Sequence, residues 1–384
     1  WGVDVLAQRR PKRDFVARVH RDAFYQRRKE IAFRRIDQFC QSPYFRLQFL
    51  LISDATIAAV AQQLRDARNS GLFLGGRALR ADALYQAGRI AAVTGCRLVT
   101  ETFFARQARG IGRVITERLA YFGEMAVEQL ADLDTVVLVG AKAPVSFFAY
   151  PDKPSVLWPA TASLATLVDV RIDALDALTR LADLLDAPAQ PVTASAQAAQ
   201  PLNHGKIDST ELGKVVANRL PEHAIVCDEG ATNSLATFLL TANAPAHDWL
   251  TLTGGAIGQG LPLAVGAAIA CPDRPVIALE ADGSGMYTVQ ALWTMVREQL
   301  DITVLLLNNR SYAILNIELA RVGVEAPGPI ALSLLDLSNP DLNWADIARG
   351  MGLQASTVET VEALDSAFSE AVAHKGPSLI EVML

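Results

Sequence analysis

The chain has 384 residues, 51% of them hydrophobic and 20% charged, with a formal net charge of -6. Apolar content on this scale fills more than one core and excludes a disordered or fibrous protein. The net negative charge gives no general attraction for nucleic acid or anionic lipid, so small molecules and other subunits are the expected partners, with no nucleic acid and no membrane.

The charge is uneven. Residues 1–50 carry 12 Lys and Arg against 5 Asp and Glu. Their arginine pairs (Arg9-Arg10, Arg27-Arg28, Arg34-Arg35) lie among scattered aromatics without a sustained apolar face, which predicts an irregular basic leader. An opening Trp1 in place of Met is what a fragment would show. A helix is predicted from Ala55 to Ala67, then a short apolar strand, Gly71 to Gly75, and a helix over Ala81 to Thr94. A strand at Arg97 to Thr100, a helix through Ala126 to Leu130 and a strong strand, Thr135 to Val139, follow, with a further helix near Ile172 to Leu185. Alternation of this kind implies a parallel sheet covered on both faces.

From Ala187 to Gln200 the sequence turns to small and polar residues with two prolines and almost no charge, which reads as a linker. Alternation then restarts with helix Ser209 to Arg219, strand Ala224 to Cys227, helix Leu261 to Ala270, strand Val276 to Leu279, helix Val289 to Glu298 and strand Thr303 to Leu307. A helix at Val361 to Ala373 leads to a closing strand, Ser378 to Val382. The predicted fold is α/β. It has two doubly wound parallel-sheet domains, a central Rossmann-like one over 51–186 and a diphosphate-binding one over 207–384, joined by a linker at 187–206 and preceded by the leader at 1–50. The weakly polar run Gly254 to Ala270 is broken by Gln259 and Pro262, so it reads as a buried turn and helix rather than a membrane span. Cys40, Cys96, Cys227 and Cys271 show no zinc-knuckle spacing and no secretory leader precedes them, which predicts reduced thiols in a cytoplasmic protein.

The strongest chemical signal begins at the end of the strand before Ala281. Asp282 and Asn309 lie 27 positions apart, each just past the carboxyl end of a predicted strand with one helix between. In a right-handed βαβ unit this puts both side chains at one edge of the sheet, where they can share a metal. A carboxylate, a side-chain amide and a backbone carbonyl are hard oxygen ligands that suit magnesium bridging a diphosphate. Gly283 allows close backbone approach and Ser284 offers a hydroxyl where a helix begins. Alone, Asp282 reads as a cap and Asn308-Asn309 as a turn; together their spacing favours the site.

Asp282-Gly283-Ser284 followed by Asn308-Asn309 resembles the thiamine-diphosphate signature, usually GDG and then NN, with Ala281 standing for the first glycine. The stretches ALWT, NNRSYAILN and GQGLP are similar to the acetolactate synthase and benzoylformate decarboxylase branch, and the resemblance covers residues 51–384. It implies thiamine diphosphate and Mg2+ as cofactors, with Asp282, Asn309 and the main-chain carbonyl of Ser311 on the metal and Ser284 on the diphosphate. It also implies Thr232, in DEGATN, as an outer diphosphate donor, the Gly255 carbonyl as acceptor for the aminopyrimidine, and Ile257 as the apolar wedge that bends the cofactor. Plain core packing is the rival reading of Ile257. The glycines of TGGAIGQG, trailed by Glu280, mimic a dinucleotide fingerprint, but their order is Gly-x-x-Gly-x-Gly. In the central domain Gly75-Gly76, Gly140 and Lys142 sit at strand ends where some relatives hold FAD, and the reading favours an empty crevice.

The resemblance further implies a 2-oxo acid substrate, decarboxylated and then joined to a second oxo acid or to a proton, by a homo-dimer or tetramer. The family's catalytic glutamate comes from an N-terminal pyrimidine-binding domain of the partner subunit. The stretch before residue 51 is too short for it, and Glu30, its only glutamate, lies in RRKEIAF. No catalytic residue is therefore assigned, and two readings stay open: the protein extends upstream, or a lesion has replaced the first domain and left a truncated chain that keeps half of a site. Competing readings are a benzoylformate-type decarboxylase, a non-catalytic cofactor-binding subunit and a nicotinamide-dependent oxidoreductase.

Overall fold

The structure, a computed structural model, describes residues 50–148, 150, 152–324 and 326–384; the predicted leader up to residue 49 lies outside the described residues. The Ser53 side chain accepts the Thr56 amide at 3.2 Å and caps α1 (Asp54–Asp66), whose buried Ile57, Val60, Ala61 and Leu64 recur at helical spacing. There follow β1 (Ser70–Leu74), α2 (Ala81–Thr94), β2 (Arg97–Thr100), β3 (Gln107–Arg109), β4 (Glu117–Arg118), α3 (Gly123–Leu130), β5 (Thr135–Val139), β6 (Ser163–Val168) and α4 (Ala174–Leu184). A five-stranded sheet of order β4-β2-β1-β5-β6 is parallel throughout. Every residue of the central β1 and β5 is buried, which is why both read as continuous apolar runs rather than alternating ones.

The second half contains α5 (Ser209–Arg219), β7 (Ile225–Glu229), α6 (Leu235–Leu240), β8 (His247–Thr251), α7 (Gly260–Ala270), β9 (Val276–Ala281) and α8 (Asp282–Gly285). It continues through α9 (Ala291–Arg297), β10 (Ile302–Asn308), α10 (Ala313–Arg321), α11 (Pro329–Ser333), α12 (Trp344–Gly350), β11 (Gln354–Val358), α13 (Val361–Ala373) and β12 (Ser378–Met383). The seven-stranded sheet has the order β11-β12-β10-β9-β7-β8-β3. Its successive strands leave β7 on one side toward β8 and on the other toward β9, so the topological switch point lies between β7 and β9.

The predicted architecture of two parallel sheets is therefore present, with one departure. The edge strand β3 comes from the first half of the chain and pairs antiparallel with β8, Gln107 opposite Trp249 and Arg109 opposite His247. Arg109 is buried, donates to the Phe238 carbonyl at 2.6 Å and lies 3.6 Å from the centre of the Phe238 ring. One apolar cluster runs through both sheets, from Leu72 and Val137 to Val226 and Leu305.

Residues 187–205 form no helix or strand, yet they are fastened along their length. Arg89 donates to the Pro188 carbonyl at 2.8 Å, Tyr85 to that of Ala189 at 2.9 Å, and Ala194 exchanges two backbone hydrogen bonds of 2.8 Å with residues 112 and 113. Cys96 and Cys227 are buried, Cys271 is half-buried, and all three are free. Among the described residues no helix is long and apolar enough to cross a membrane.

Candidate functional site

The carboxyl ends of β7, β8, β9 and β10 are the part of the seven-stranded sheet where strands stop and backbone groups are left over. β9 ends at Ala281 and runs directly into the single turn of α8, while β10 ends at Asn308 and turns through Asn309 to Tyr312. Asp282 joins these two turns. One of its carboxylate oxygens accepts the Gly283 amide at 2.8 Å and the other accepts the Arg310 amide at 2.8 Å. Burial pushes its carboxyl up, and the surrounding amides work against that shift.

Asn308 and Asn309 are sorted by the end of the strand. Asn308 is buried and donates to Glu381 at 2.8 Å, whereas Asn309 is half-buried and accepts the Ser311 amide at 3.0 Å. Arg310 takes a left-handed φ of 56°, which reverses the chain at this point. Residues 335–337 hold the turn from outside, the Tyr312 amide donating to the Leu335 carbonyl and the Leu337 amide to that of Arg310, both at 2.9 Å. The next helix, α10, is tied to the first half of the chain. Arg321 pairs with Glu124 at 2.6 and 2.8 Å and lies 4.2 Å from the centre of the Phe122 ring, and the Tyr150 hydroxyl donates to Glu318.

The other named residues surround the switch point. Thr232 sits half-buried in the turn after β7, and Ser284 is half-buried in α8. Gly254 and Gly255 have φ of 69° and 64°, and open space lies where a Cβ would project from either. The Gly255 carbonyl accepts the Ile257 amide at 3.0 Å. Ile257 is 55% exposed, so its side chain is not part of the core. At Gly283 the Tyr312 ring fills the place of a Cβ, so the glycine admits that ring at this face.

Sequence reasoning named Glu280 only as the acid of a dinucleotide fingerprint and did not pair it with Glu229. Glu229, at the end of β7, is 3% exposed and accepts the Gly258 amide at 2.6 Å with one oxygen and the Gly260 amide with the other. Glu280 is its register partner on β9, fully buried, with both oxygens lacking a hydrogen-bond partner. Burial and the neighbouring Glu229 push the Glu280 carboxyl well up. A glutamate so enclosed cannot reach a ribose, which removes the support it lent to the dinucleotide reading. The signal for this pair was an acid at two neighbouring strand ends, legible only once β7 and β9 are known to be adjacent.

In the five-stranded sheet the strand-end glycines close on one another. Leu74 bridges Gly140, the Gly75 amide donates to the Val139 carbonyl at 3.0 Å, and Glu101 and Ala141 lie where a Gly75 Cβ would be, at 2.6 and 2.9 Å. Among the described residues no group of three or more His, Cys, Asp or Glu is arranged to hold a metal. At the ends of β9 and β10, Asp282, Asn309 and Ser311 lie in two turns linked by the Arg310-to-Asp282 hydrogen bond, and a carboxylate, an amide oxygen and a backbone carbonyl are oxygen donors of the type that suits a hard cation.

Comparison with known proteins gives relatives for both halves of the described chain. Residues 228–382 match the family model of the thiamine pyrophosphate enzyme C-terminal TPP-binding domain. The chain is 47% identical over 329 residues to a Mycobacterium tuberculosis strain H37Rv protein, IlvX, described as a candidate acetolactate synthase large subunit, covering 85% of this chain and 64% of that protein. It is 33% identical over 163 residues to benzoylformate decarboxylase of Pseudomonas aeruginosa, covering 42% of this chain and 29% of that enzyme. In fold it is similar to the thiamine diphosphate-dependent 4-hydroxybenzoylformate decarboxylase of Rhodococcus jostii RHA1, with a TM-score of 0.71 at 24% identity over 86% of this chain and 64% of the other. Benzoylformate decarboxylase of Polynucleobacter necessarius gives a TM-score of 0.64 at 21% identity, over 87% of this chain and 65% of the other. The chain thus spans less than two thirds of the length of these relatives. It is residues 228–382, then, that are similar to the C-terminal TPP-binding domain of the thiamine pyrophosphate enzymes.

Proposed function

We propose that the chain binds thiamine diphosphate with Mg2+ at the ends of β7 to β10 and serves acetolactate synthase-like chemistry on 2-oxo acids. The observation that carries this reading is the Asp282 carboxylate, which accepts an amide from each of the two signature turns. Asp282, Asn309 and the Ser311 carbonyl would hold the metal. Ser284 and Thr232 would donate to the diphosphate, with Gly283 at the turn between. Gly255 and Ile257 would receive the pyrimidine end, Ile257 offering exposed apolar surface for the cofactor to bend over.

When bound, the cofactor supplies an electron sink for the bond beside a keto carbon. The chain's own part is to fix the metal and diphosphate, orient the pyrimidine and exclude water with the buried edge of the sheet. None of its residues is assigned the proton-transfer role. The same reading expects a cytoplasmic homo-oligomer and a crevice without FAD in the five-stranded sheet. The second reading, a benzoylformate-type decarboxylase, is favoured by the similarity to the Pseudomonas aeruginosa enzyme.

Calorimetric titration of the purified chain with thiamine diphosphate and Mg2+ tests the site, with pyruvate and benzoylformate turnover assayed on the same sample. Binding that disappears in Asp282→Ala supports the assignment, because the metal loses its one charged protein ligand. Unchanged affinity in that variant would overturn it.

A further inference from the structure

We propose that Glu229 is a positioning residue that sets the pyrimidine-side loop in register with the diphosphate-side turn. The inference rests on the thiamine-diphosphate reading above.

The loop from Leu252 to Gln259 is held within itself by Gly255 to Leu252 at 3.4 Å, Ile257 to Gly255 at 3.0 Å, Gln259 to Ala256 at 3.1 Å and the Thr253 hydroxyl to the Gln259 side-chain oxygen at 3.2 Å, all bonds inside the segment. Such bonds curl a segment without fixing where it lies. Its attachment to the sheet comes from Glu229, whose two carboxylate oxygens separately accept the Gly258 and Gly260 amides. A second attachment, from the Thr288 hydroxyl to the Gly258 carbonyl at 2.7 Å, fixes the same point from the other side. The Gly255 carbonyl and the Ile257 side chain stand one turn before this anchor, so their position follows from it.

Only a carboxylate does this. The two amides need two acceptor oxygens, and a glutamine at 229 would turn an NH2 group against one of them. An aspartate, one methylene shorter, keeps the charge and loses the reach. The neighbouring residue is shaped to the same contact: a Cβ on Gly260 would come 2.8 Å from the Glu229 Cβ and 2.9 Å from its Oε2. The Ser284 hydroxyl also bears on this carboxylate, and Glu229 ends the strand that leads into the Thr232 turn. One side chain therefore holds the pyrimidine-side loop and meets Ser284 of the diphosphate-side turn, at the end of the strand that leads into the Thr232 turn. The rival reading is an ordinary cap, since α7 starts at Gly260; a cap would affect stability and leave the relative affinities of two ligands unchanged.

The test compares Mg2+ with thiamine diphosphate against Mg2+ with inorganic pyrophosphate, titrated into the full chain and its Glu229→Gln and Glu229→Asp variants. In both variants thiamine diphosphate affinity should fall by about tenfold or more while pyrophosphate affinity stays within about twofold, the scale of a lost buried charged hydrogen bond. Equal losses for the two ligands, no loss for either, or wild-type affinity in Glu229→Asp would overturn the proposal. Where a variant does not fold, hydrogen exchange in the wild-type chain decides. Gly258 and Gly260 amides should be strongly protected, and exchange at the rate of an open loop would overturn the clamp. A wild-type chain that binds neither ligand removes the cofactor reading and this inference with it. One that binds both ligands equally well removes this inference alone.

Discussion

Asn308 donates its amide to the Glu381 carboxylate at 2.8 Å, while its neighbour Asn309 accepts the Ser311 amide at 3.0 Å. Consecutive residues at a strand end project to opposite sides, so a pair identical in sequence divides into a buried structural position and the position proposed above as a metal ligand. Glu381 also accepts amides from Trp344 and Ala345 at the start of α12, at 3.3 and 3.1 Å, which makes Asn308 part of a buried network. Asn308→Ala should cost about 1–3 kcal/mol of stability in a denaturant titration. Asn309→Ala should leave stability within about 0.5 kcal/mol and weaken Mg2+-dependent cofactor binding by about tenfold or more. Equal effects of the two substitutions would refute the division.

Ile257 offers a test of the wedge. Because it is 55% exposed, Ile257→Ala removes little buried area, and the unfolding midpoint should barely move. Thiamine diphosphate affinity should fall while pyrophosphate affinity holds. A large loss of stability would return the residue to the core.

Two glycines of α7, one at its first position and one in its interior, make an internal control. At Gly260 a Cβ would run into Glu280 and Glu229, so Gly260→Ala should destabilise the chain by about 1–3 kcal/mol. At Gly266 nothing lies within 4 Å, and Gly266→Ala should stabilise the helix by about 0.5–1 kcal/mol. Thermal unfolding of the two single variants should move in opposite directions.

His247 gives the chain an acid-sensitive point. Burial first, then the Arg109 guanidinium, pushes its imidazole down from 6.5 to about 4; one ring nitrogen bonds the Pro245 carbonyl at 2.7 Å and the other has no partner. The folded state holds His247 neutral while the unfolded chain takes up a proton below pH 6.5. Its contribution is therefore present above about pH 6.5 and is lost progressively as the pH falls toward about 4. The slope over that window should approach about 1.4 kcal/mol per pH unit. Denaturant titrations at several pH values should show it in the wild type, with a shallower slope in His247→Asn. Equal slopes would rule the group out.

What the sequence made legible follows from which residues face two ways at once. Strands buried on both faces, such as β5 and β10, announce themselves as unbroken apolar runs, and α2, α5 and α13 lie within the bounds that periodicity drew. The edge strands β6 and β11 are only partly buried and carried no such run, and β8 contains His247 and Asp248. Asp282 and Asn309 could be paired from spacing because they follow β9 and β10, strands that are consecutive in the chain and adjacent in the sheet. The Glu229 and Glu280 pair could not, since its members come together through β7 and β9, which are not consecutive in the chain. Tyr312 on Gly283 was also out of reach, being a contact between two loops.

The reach of β3 into the far sheet bears on how this molecule can be taken apart. A cut placed in the segment at 187–206 would leave β8 as a bare edge, its amides and carbonyls free to pair with another chain, and would withdraw Arg109 from Phe238. An isolated piece beginning at residue 207 is therefore an aggregation hazard rather than a portable cofactor module. Grafting this half onto a relative requires carrying residues 104–119 along with it.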